Sequence, residues 1–289
     1  MIDNLVRQLN DLSASQPFEV CWYFKDLNTG ESANRQGDRV VPSASTRKIA
    51  VLMAAMAAIH RGRLRLDQQV EILAKYQDND SGTFQHLTPG FKITFRDALV
   101  MMIIVSDNTC TGTVVDMVGL PAINTLCQSI GMVGTTHRHN IPPRLQPDHP
   151  VNATNTTTAN DVGLLLELIL QGSTSATAAA RLGSTPELCQ LALDILSWQK
   201  LKARLPSLLP LGTKVAHKTG TGARNYHDAG IVYVEGAPRF VLACYTENVP
   251  RDCPDGTPGF AAAASVIGRL ARACYDHALV GSTPLAAAR

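Results

Sequence analysis

Several features that mark other classes of protein are missing from this chain of 289 residues. Basic and acidic residues nearly cancel, with 26 lysines and arginines against 24 aspartates and glutamates, so the formal charge is only +2. A nucleic acid is therefore not an expected partner. No apolar run approaches the roughly 20 residues that cross a bilayer, which predicts that the chain has no membrane-spanning helix and no membrane partner.

The cysteines also lack a pattern. The seven of them are scattered singly, without a CxxC pair, which disfavours a disulfide framework or a zinc site and favours reduced thiols. The first fifteen residues place apolar side chains at helical spacing between charged ones, which is typical of a surface helix rather than of a secretory signal. Together these features predict a cytoplasmic protein, with the reservation that a removed leader would leave the same pattern.

What the chain does have is a change of character along its length. Strand-like segments occur near the start and again after residue 213, whereas the middle is dominated by helical patterns. This order predicts an α/β fold in which an antiparallel sheet with flanking helices carries an inserted all-helical lobe. We expect residues 1–44 and 206–289 to form the α/β domain and residues 45–205 the helical one, with the active site between them.

Three short motifs follow one another in the chain. They are S-x-x-K at Ser45–Lys48, S-D-N at Ser106–Asn108 and K-T-G at Lys218–Gly220. Each is weak alone, since S-x-x-K recurs at Ser197–Lys200, where we assign it only a structural role. In this order the three resemble the signature of class A β-lactamases and penicillin-binding proteins, and similar stretches extend the resemblance over about residues 20–275. The resemblance implies the same fold as the order of the elements, an antiparallel sheet with flanking helices and an inserted all-helical lobe.

Elementary chemistry agrees with that resemblance. A serine hydroxyl is a poor nucleophile until a base takes its proton. Lys48 lies one helical turn after Ser45 and can be that base if burial or a nearby cation such as Lys218 disfavours its charge. A helix N-terminus at Ser45 would also direct backbone N–H groups toward the reacting carbonyl.

The resemblance implies further roles. Ser106 would pass the proton to the leaving nitrogen, and the backbone N–H of Thr221 would complete an oxyanion hole. The substrate would be a small molecule carrying a carboxylate, and neither a cofactor nor a metal is implied; the oligomeric state stays open. The catalytic set is then Ser45, Lys48, Ser106 and Lys218, and the expected substrate-binding residues are Asn108, Thr219, Gly220, Thr221, Arg224 and Gln146.

The chain departs from the class A pattern in one respect. Between Arg138 and Asn160 it has no glutamate to activate the deacylating water, and the only acid there is Asp148. Our alignment places Gln146 at the glutamate's position in a loop shorter than the family's. An amide cannot accept a proton from water, so deacylation should be slow unless Lys48, Asp148 or the substrate supplies the base.

Two alternatives remain beside β-lactam hydrolysis. The same nucleophile could serve D,D-peptidase, esterase or transacylase chemistry on another substrate, or the chain could be a binding protein on a former enzyme scaffold, against which the retention of all three motifs argues. A metal site at His137, His139 and His149 is disfavoured because no Cys or Glu lies at ligand spacing. Cys110 is interpreted as a buried thiol and not as a second nucleophile.

Overall fold

The strands of the protein define one main sheet. The computed structural model describes residues 2–77, 81–142 and 150–280. Within these residues the strands are β1 (Glu19–Asp26), β2 (Ser32–Arg35), β3 (Val41–Pro42), β4 (Gln69–Glu71), β5 (Lys92–Thr94), β6 (Thr156–Thr157), β7 (Val215–Thr221), β8 (Tyr226–Val234) and β9 (Ala237–Glu247). Five of them form an antiparallel sheet in the order β2-β1-β9-β8-β7.

The order of the strands explains how distant motifs can meet. β1 pairs with β9 along its whole length, so the two ends of the chain build the same sheet. β7, which carries the K-T-G motif, lies at the edge and pairs on one side only, with β8. An edge strand keeps backbone groups free on its outer side for a partner. The antiparallel sheet expected from the sequence is confirmed.

The helices occupy both faces of this sheet. Among the described residues they are α1 (Ile2–Ala14), α2 (Lys48–His60), α3 (Phe95–Ile104), α4 (Asn108–Val118), α5 (Leu120–Ser129), α6 (Ala159–Gly172), α7 (Ala176–Arg181), α8 (Pro186–Ser197) and α9 (Gly259–Val280). The N-terminal surface helix expected from its apolar spacing is confirmed as α1. The central helix begins later than expected, because a 3₁₀ turn, Ala44–Arg47, precedes it.

Two hydrophobic cores lie on opposite faces of the sheet. Alternation along β1 shows this directly, since Cys21 belongs to the core shared with α2 to α6 and α8, and Trp22 to the core shared with α1 and α9. Helix α2 is buried on every side except its last turn, as its uniformly apolar sequence requires. The domain boundaries at residues 45 and 205 stay a prediction.

Among the described residues, no single helix is long and apolar enough to cross a membrane. Only α4 and α5 taken together reach the required length and apolar character, and they are bent by 80° at their junction.

Candidate active site

The Ser45 hydroxyl lies in the 3₁₀ turn that leads into α2. Ser45 is half-buried, and the backbone N–H of Lys48 bonds to the carbonyls of Ser45 and Thr46, so the turn continues directly into the helix. Ala44, just before the serine, has a φ of +42°, a conformation that a residue with a Cβ adopts rarely. Such strained backbone is common where a side chain must be held for chemistry.

Side chains from the sheet hold this turn in place. The Thr46 hydroxyl donates to the Ser43 carbonyl at 2.6 Å, and the Tyr245 hydroxyl from β9 donates to Thr46 Oγ1 at 3.0 Å. His227 of β8 contacts the Pro42 carbonyl through Nε2 at 2.9 Å. Burial lowers the pKa of His227 to about 3, so the ring is neutral and donates from that nitrogen. The sequence analysis did not single out His227 or Tyr245.

The first two motifs meet at the Lys48 ammonium. Lys48 is 2% exposed and donates to the Ser106 carbonyl at 2.7 Å, to Ser106 Oγ at 3.1 Å and to Asn108 Oδ1 at 2.7 Å. Burial, and then the charges of Lys218 and Arg47, hold the pKa of Lys48 well below its ordinary value. A lysine in this state gives up its proton more readily than an exposed one, as a general base must.

Ser106 reaches Lys48 because of the backbone between α3 and α4. Its φ is +58°, which turns the chain sharply before α4 begins. The buried Asp107 carboxylate caps that helix by accepting the Cys110 N–H at 3.0 Å. It also accepts the backbone N–H groups of Thr83 and Phe84 at 2.7 and 2.8 Å, which ties the preceding loop to the same corner. The middle residue of S-D-N is therefore structural.

The third motif approaches from β7 and has room to do so only because of Gly220. A Cβ at Gly220 would lie 3.1 Å from Thr46 Cγ2 and 3.2 Å from both Ala44 Cβ and Thr46 N. The edge strand thus packs closely against the turn that carries Ser45. This contact brings K-T-G and S-x-x-K together as the sequence analysis expected.

Lys218 is fully buried on this strand. Its ammonium donates to the Thr219 carbonyl at 2.7 Å. Burial lowers the pKa of Lys218 to about 7, with Asp228 raising it and Arg204 lowering it further. Asp228 itself accepts the Leu205 N–H at 3.0 Å and contacts His217 Nδ1 at 2.9 Å. Lys218 therefore changes its charge near neutral pH.

The arginine that reaches K-T-G is Arg204, which the sequence analysis missed. Its guanidinium donates to the carbonyls of Gly220 and His227 at 2.6 Å and to Thr221 Oγ1 at 2.5 Å. Arg224 instead donates to two carbonyls beyond β9, those of Val249 at 3.2 Å and Asn248 at 3.1 Å. Arg204 stands in no motif, so only the fold could reveal it.

Three further sequence-based interpretations concern Cys110, the second S-x-x-K motif and residues 146–149. Cys110 is buried, and burial raises the pKa of its thiol far above the usual range, which makes it a poor nucleophile. In the second S-x-x-K the Ser197 hydroxyl bonds to the carbonyl of Leu193 at the end of α8. Gln146, Asp148 and His149 lie outside the described residues.

Comparison with known proteins identifies relatives over nearly the whole chain. A family model described as the beta-lactamase enzyme family matches residues 4–278. Among characterised proteins, "Beta-lactamase AER-1" of Aeromonas hydrophila is 31% identical over 214 residues, which are 74% of this chain and 67% of that protein.

Solved structures give the same result at the level of the fold. A beta-lactamase from Sphaerobacter thermophilus is 25% identical with a TM-score of 0.82, covering 98% of this chain and 99% of its own. PBP-A is 28% identical with a TM-score of 0.81 over 95% of both chains. A mutant of PBP-A, described as an acyl-enzyme complex with penicillin G, is 28% identical with a TM-score of 0.81 over 96% of both chains.

Proposed function

Because this chain belongs to the beta-lactamase enzyme family and is a serine hydrolase of that kind, we propose that Ser45 is its nucleophile and Lys48 the base that activates it. The observation that carries the proposal is the buried Lys48 ammonium, whose partners are Ser106 Oγ and Asn108 Oδ1. Two motifs distant in sequence, S-x-x-K and S-D-N, thus meet at this one amine. In its neutral form the amine has a lone pair available for the proton of Ser45.

Acylation then proceeds as a balanced transfer. Ser45 Oγ forms a bond to the carbonyl carbon of a β-lactam or related amide while its proton passes to Lys48 Nζ. The tetrahedral oxyanion is bound by the backbone N–H groups of Ser45 and Thr221, which typically supply about 3 to 4 kcal/mol each. The carbon–nitrogen bond breaks, and the proton passes from Lys48 through the Ser106 hydroxyl to the leaving nitrogen.

Substrate binding is proposed for Asn108 and for the residues at and around K-T-G. Asn108 would accept from, or donate to, the substrate amide next to Lys48. The substrate carboxylate would bind at K-T-G, between the Thr219 and Thr221 hydroxyls, Lys218 and Arg204. Arg204 replaces Arg224 in this proposal, because Arg204 already bonds to Thr221 Oγ1 while both described donors of Arg224 serve carbonyls elsewhere. Charge-assisted hydrogen bonds suit a carboxylate.

Deacylation is the step that this chain is least equipped for. Among residues 2–77, 81–142 and 150–280, the hydrogen bonds of Lys48 go to a carbonyl, a hydroxyl and an amide, and none goes to a carboxylate. The sequence places Gln146 where class A enzymes have a glutamate. We therefore propose a long-lived acyl-enzyme, and this favours a second candidate function, penicillin binding without rapid turnover; the related PBP-A mutant is described as an acyl-enzyme complex with penicillin G.

One experiment tests both candidates. The protein is incubated with penicillin G and with a chromogenic cephalosporin while intact mass and absorbance are followed. We expect one acyl group per chain, located at Ser45 by peptide mapping, and an initial burst followed by slow turnover. The Ser45→Ala variant should form no adduct. Rapid turnover without a burst contradicts slow deacylation, and an adduct that persists in Ser45→Ala contradicts the nucleophile.

We also propose a reducing, cytoplasmic setting. All seven cysteines are buried and free of disulfides, which is the pattern of proteins that never meet an oxidising compartment. Fractionation of producing cells, with detection of the protein in each fraction, tests this; recovery outside the cytoplasm contradicts it.

A further inference from the structure

A buried arginine beside the nucleophile has no part in the mechanism above. Arg47 is 4% exposed and lies between Ser45 and Lys48 in S-x-x-K. Its guanidinium donates to the carbonyl of His139 at 3.1 Å and to that of Asn140 at 3.1 and 2.5 Å. No aspartate or glutamate of the described residues forms an ion pair with it. Among the described residues only carbonyls bond to this buried charge, and such an arrangement is costly unless another effect offsets it.

The first consequence of these bonds is mechanical. Arg47 holds the backbone of the segment 137–142 against the turn that carries Ser45. The Asn140 side chain holds the same segment from the other side, by donating to the Gly112 carbonyl at 3.0 Å and to Asp116 Oδ1 at 2.7 Å. The segment is therefore fixed between the nucleophile turn and helix α4.

The second consequence is electrostatic. The charged or titratable groups that act on Lys48 are Lys218 from β7, Arg47 on its own element, and Asp107 with Cys110 from α4. Of the two cations, Lys218 loses its charge as the pH rises through about 7, the pKa to which burial lowers it. Burial lowers the pKa of Arg47 only to about 10, so it stays charged across the neutral range.

His137 does not compensate this charge. Its ring is 3% exposed and lies next to Arg47. Burial, and then the Arg47 charge, lower the pKa of His137 to about 3, so the ring is neutral at any pH where the enzyme would work. Arg47 is thus the cation near Lys48 that neither titrates nor is neutralised among the described residues.

We propose that Arg47 is a positioning residue that acts through Lys48: it keeps a permanent positive charge beside that amine and anchors the segment 137–142 to the turn of Ser45. The inference rests on the proposed acylation of Ser45 with Lys48 as base. It goes beyond that proposal because S-x-x-K leaves this position unspecified, and here the residue in it sets the pH range in which the lysine is neutral.

The test compares pH profiles of acylation. The second-order rate constant for penicillin G is measured by intact mass from pH 5 to 9 in the wild type, in Arg47→Gln and in Arg47→Met. Acylation should speed up with pH as Lys48 loses its proton, which gives the pH profile a rising limb. Removing the cation should make Lys48 harder to deprotonate, so this limb should move to higher pH by about one unit. At a given pH on the limb, acylation is then about tenfold slower. The matched control is Asn140→Ala, which removes the other anchor but keeps the charge; its limb should stay in place.

A second pair covers the case in which neither neutral variant folds. His137→Asp would put a carboxylate against the guanidinium and offset its charge, whereas His137→Asn is the uncharged control. The limb should move up in His137→Asp only. The inference is overturned if the rising limb of Arg47→Gln coincides with that of Asn140→Ala, or if the limbs of His137→Asp and His137→Asn coincide; either result leaves the proposed function intact. Failure of the wild type to form any adduct at Ser45 overturns the proposed function first.

Discussion

The two buried lysines of the site have the same side chain and different surroundings. The Lys48 ammonium contacts three neutral oxygen atoms, and every large influence on its pKa, namely burial, Lys218 and Arg47, acts downward. The Lys218 ammonium contacts one carbonyl, and the buried Asp228 opposes the effect of burial, so its pKa falls to about 7. Each lysine has a carboxylate nearby, but Asp228 is the second-largest influence on Lys218, whereas the effect of Asp107 on Lys48 ranks below burial and both cations.

The different surroundings of Lys48 and Lys218 support the different roles proposed for them, a base and a cation that binds the substrate carboxylate. A base must be neutral when the substrate arrives, which suits Lys48, because the three largest influences on its pKa all disfavour the charged form. A group that attracts a substrate carboxylate must be charged, which suits Lys218, because Asp228 opposes the effect of burial on its pKa. In a site with two amines, the second cation also disfavours the charge of the first, so Lys218 on β7 would support the proposed activation of Ser45 by Lys48.

The largest effect on acylation is expected when the proposed base, Lys48, is removed. Lys48→Met keeps a long apolar stem in a buried position and deletes the amine, so the fold should survive. Acylation by penicillin G should slow by roughly 10²- to 10⁴-fold, the usual contribution of a general base. Stopped-flow or mass-resolved acylation kinetics measure this. Lys200→Met is the matched control, because Lys200 ends the second S-x-x-K and is exposed. Equal rates in Lys48→Met and the wild type would remove Lys48 from the mechanism.

The role of the second lysine is tested by replacing Lys218 and measuring the acylation constant as a function of pH. In the wild type the second-order acylation constant should fall as the pH rises through about 7, because Lys218 loses the charge that attracts the substrate. Lys218→Met should abolish this falling limb. It should also move the rising limb to higher pH, because the loss of a neighbouring cation raises the pKa of Lys48. A typical loss is about 10²-fold at pH 6, close to one strong oxyanion or charge contact.

Two outcomes separate the roles of Lys218 in that experiment. If the falling limb persists in Lys218→Met, another group titrates near pH 7 and Lys218 is not the carboxylate anchor. If the rising limb does not move, the charge of Lys218 does not reach Lys48. Either result would leave the contacts of Lys48 as described and would change only the assignment of the second lysine.

The reaction centre was predictable because its chemistry constrains residue type and order together. Ser45, Lys48, Ser106 and Lys218 were predicted from their motifs without coordinates, and the structure places Lys48 within hydrogen-bond distance of Ser106; their catalytic roles stay a proposal. The antiparallel sheet was equally predictable from alternating apolar strands at both ends of the chain. The boundary of α2 was not, because over a single four-residue turn a sequence pattern cannot separate the period of a 3₁₀ helix from that of an α-helix.

The supporting residues were invisible for a physical reason. Arg204, Arg47, His227 and Tyr245 act through backbone carbonyls or a single hydroxyl, and such contacts require no particular spacing from the motif they support. Arg224, by contrast, was expected near the substrate from the family resemblance. The sequence alone did not show that its guanidinium donates to the carbonyls of Asn248 and Val249.

The smallest expected effect compares those two arginines directly. Arg204→Gln should lower the acylation constant for penicillin G by about 10-fold, since a charge-assisted hydrogen bond contributes about 1.5 to 3 kcal/mol. Arg224→Gln should change it less than twofold. Repeating the measurement with a methyl ester of the same penicillin removes the carboxylate, and the penalty of Arg204→Gln should shrink to the level of Arg224→Gln. An equal penalty for acid and ester would mean that Arg204 only braces β7, because a bracing contact cannot distinguish a substrate's charge.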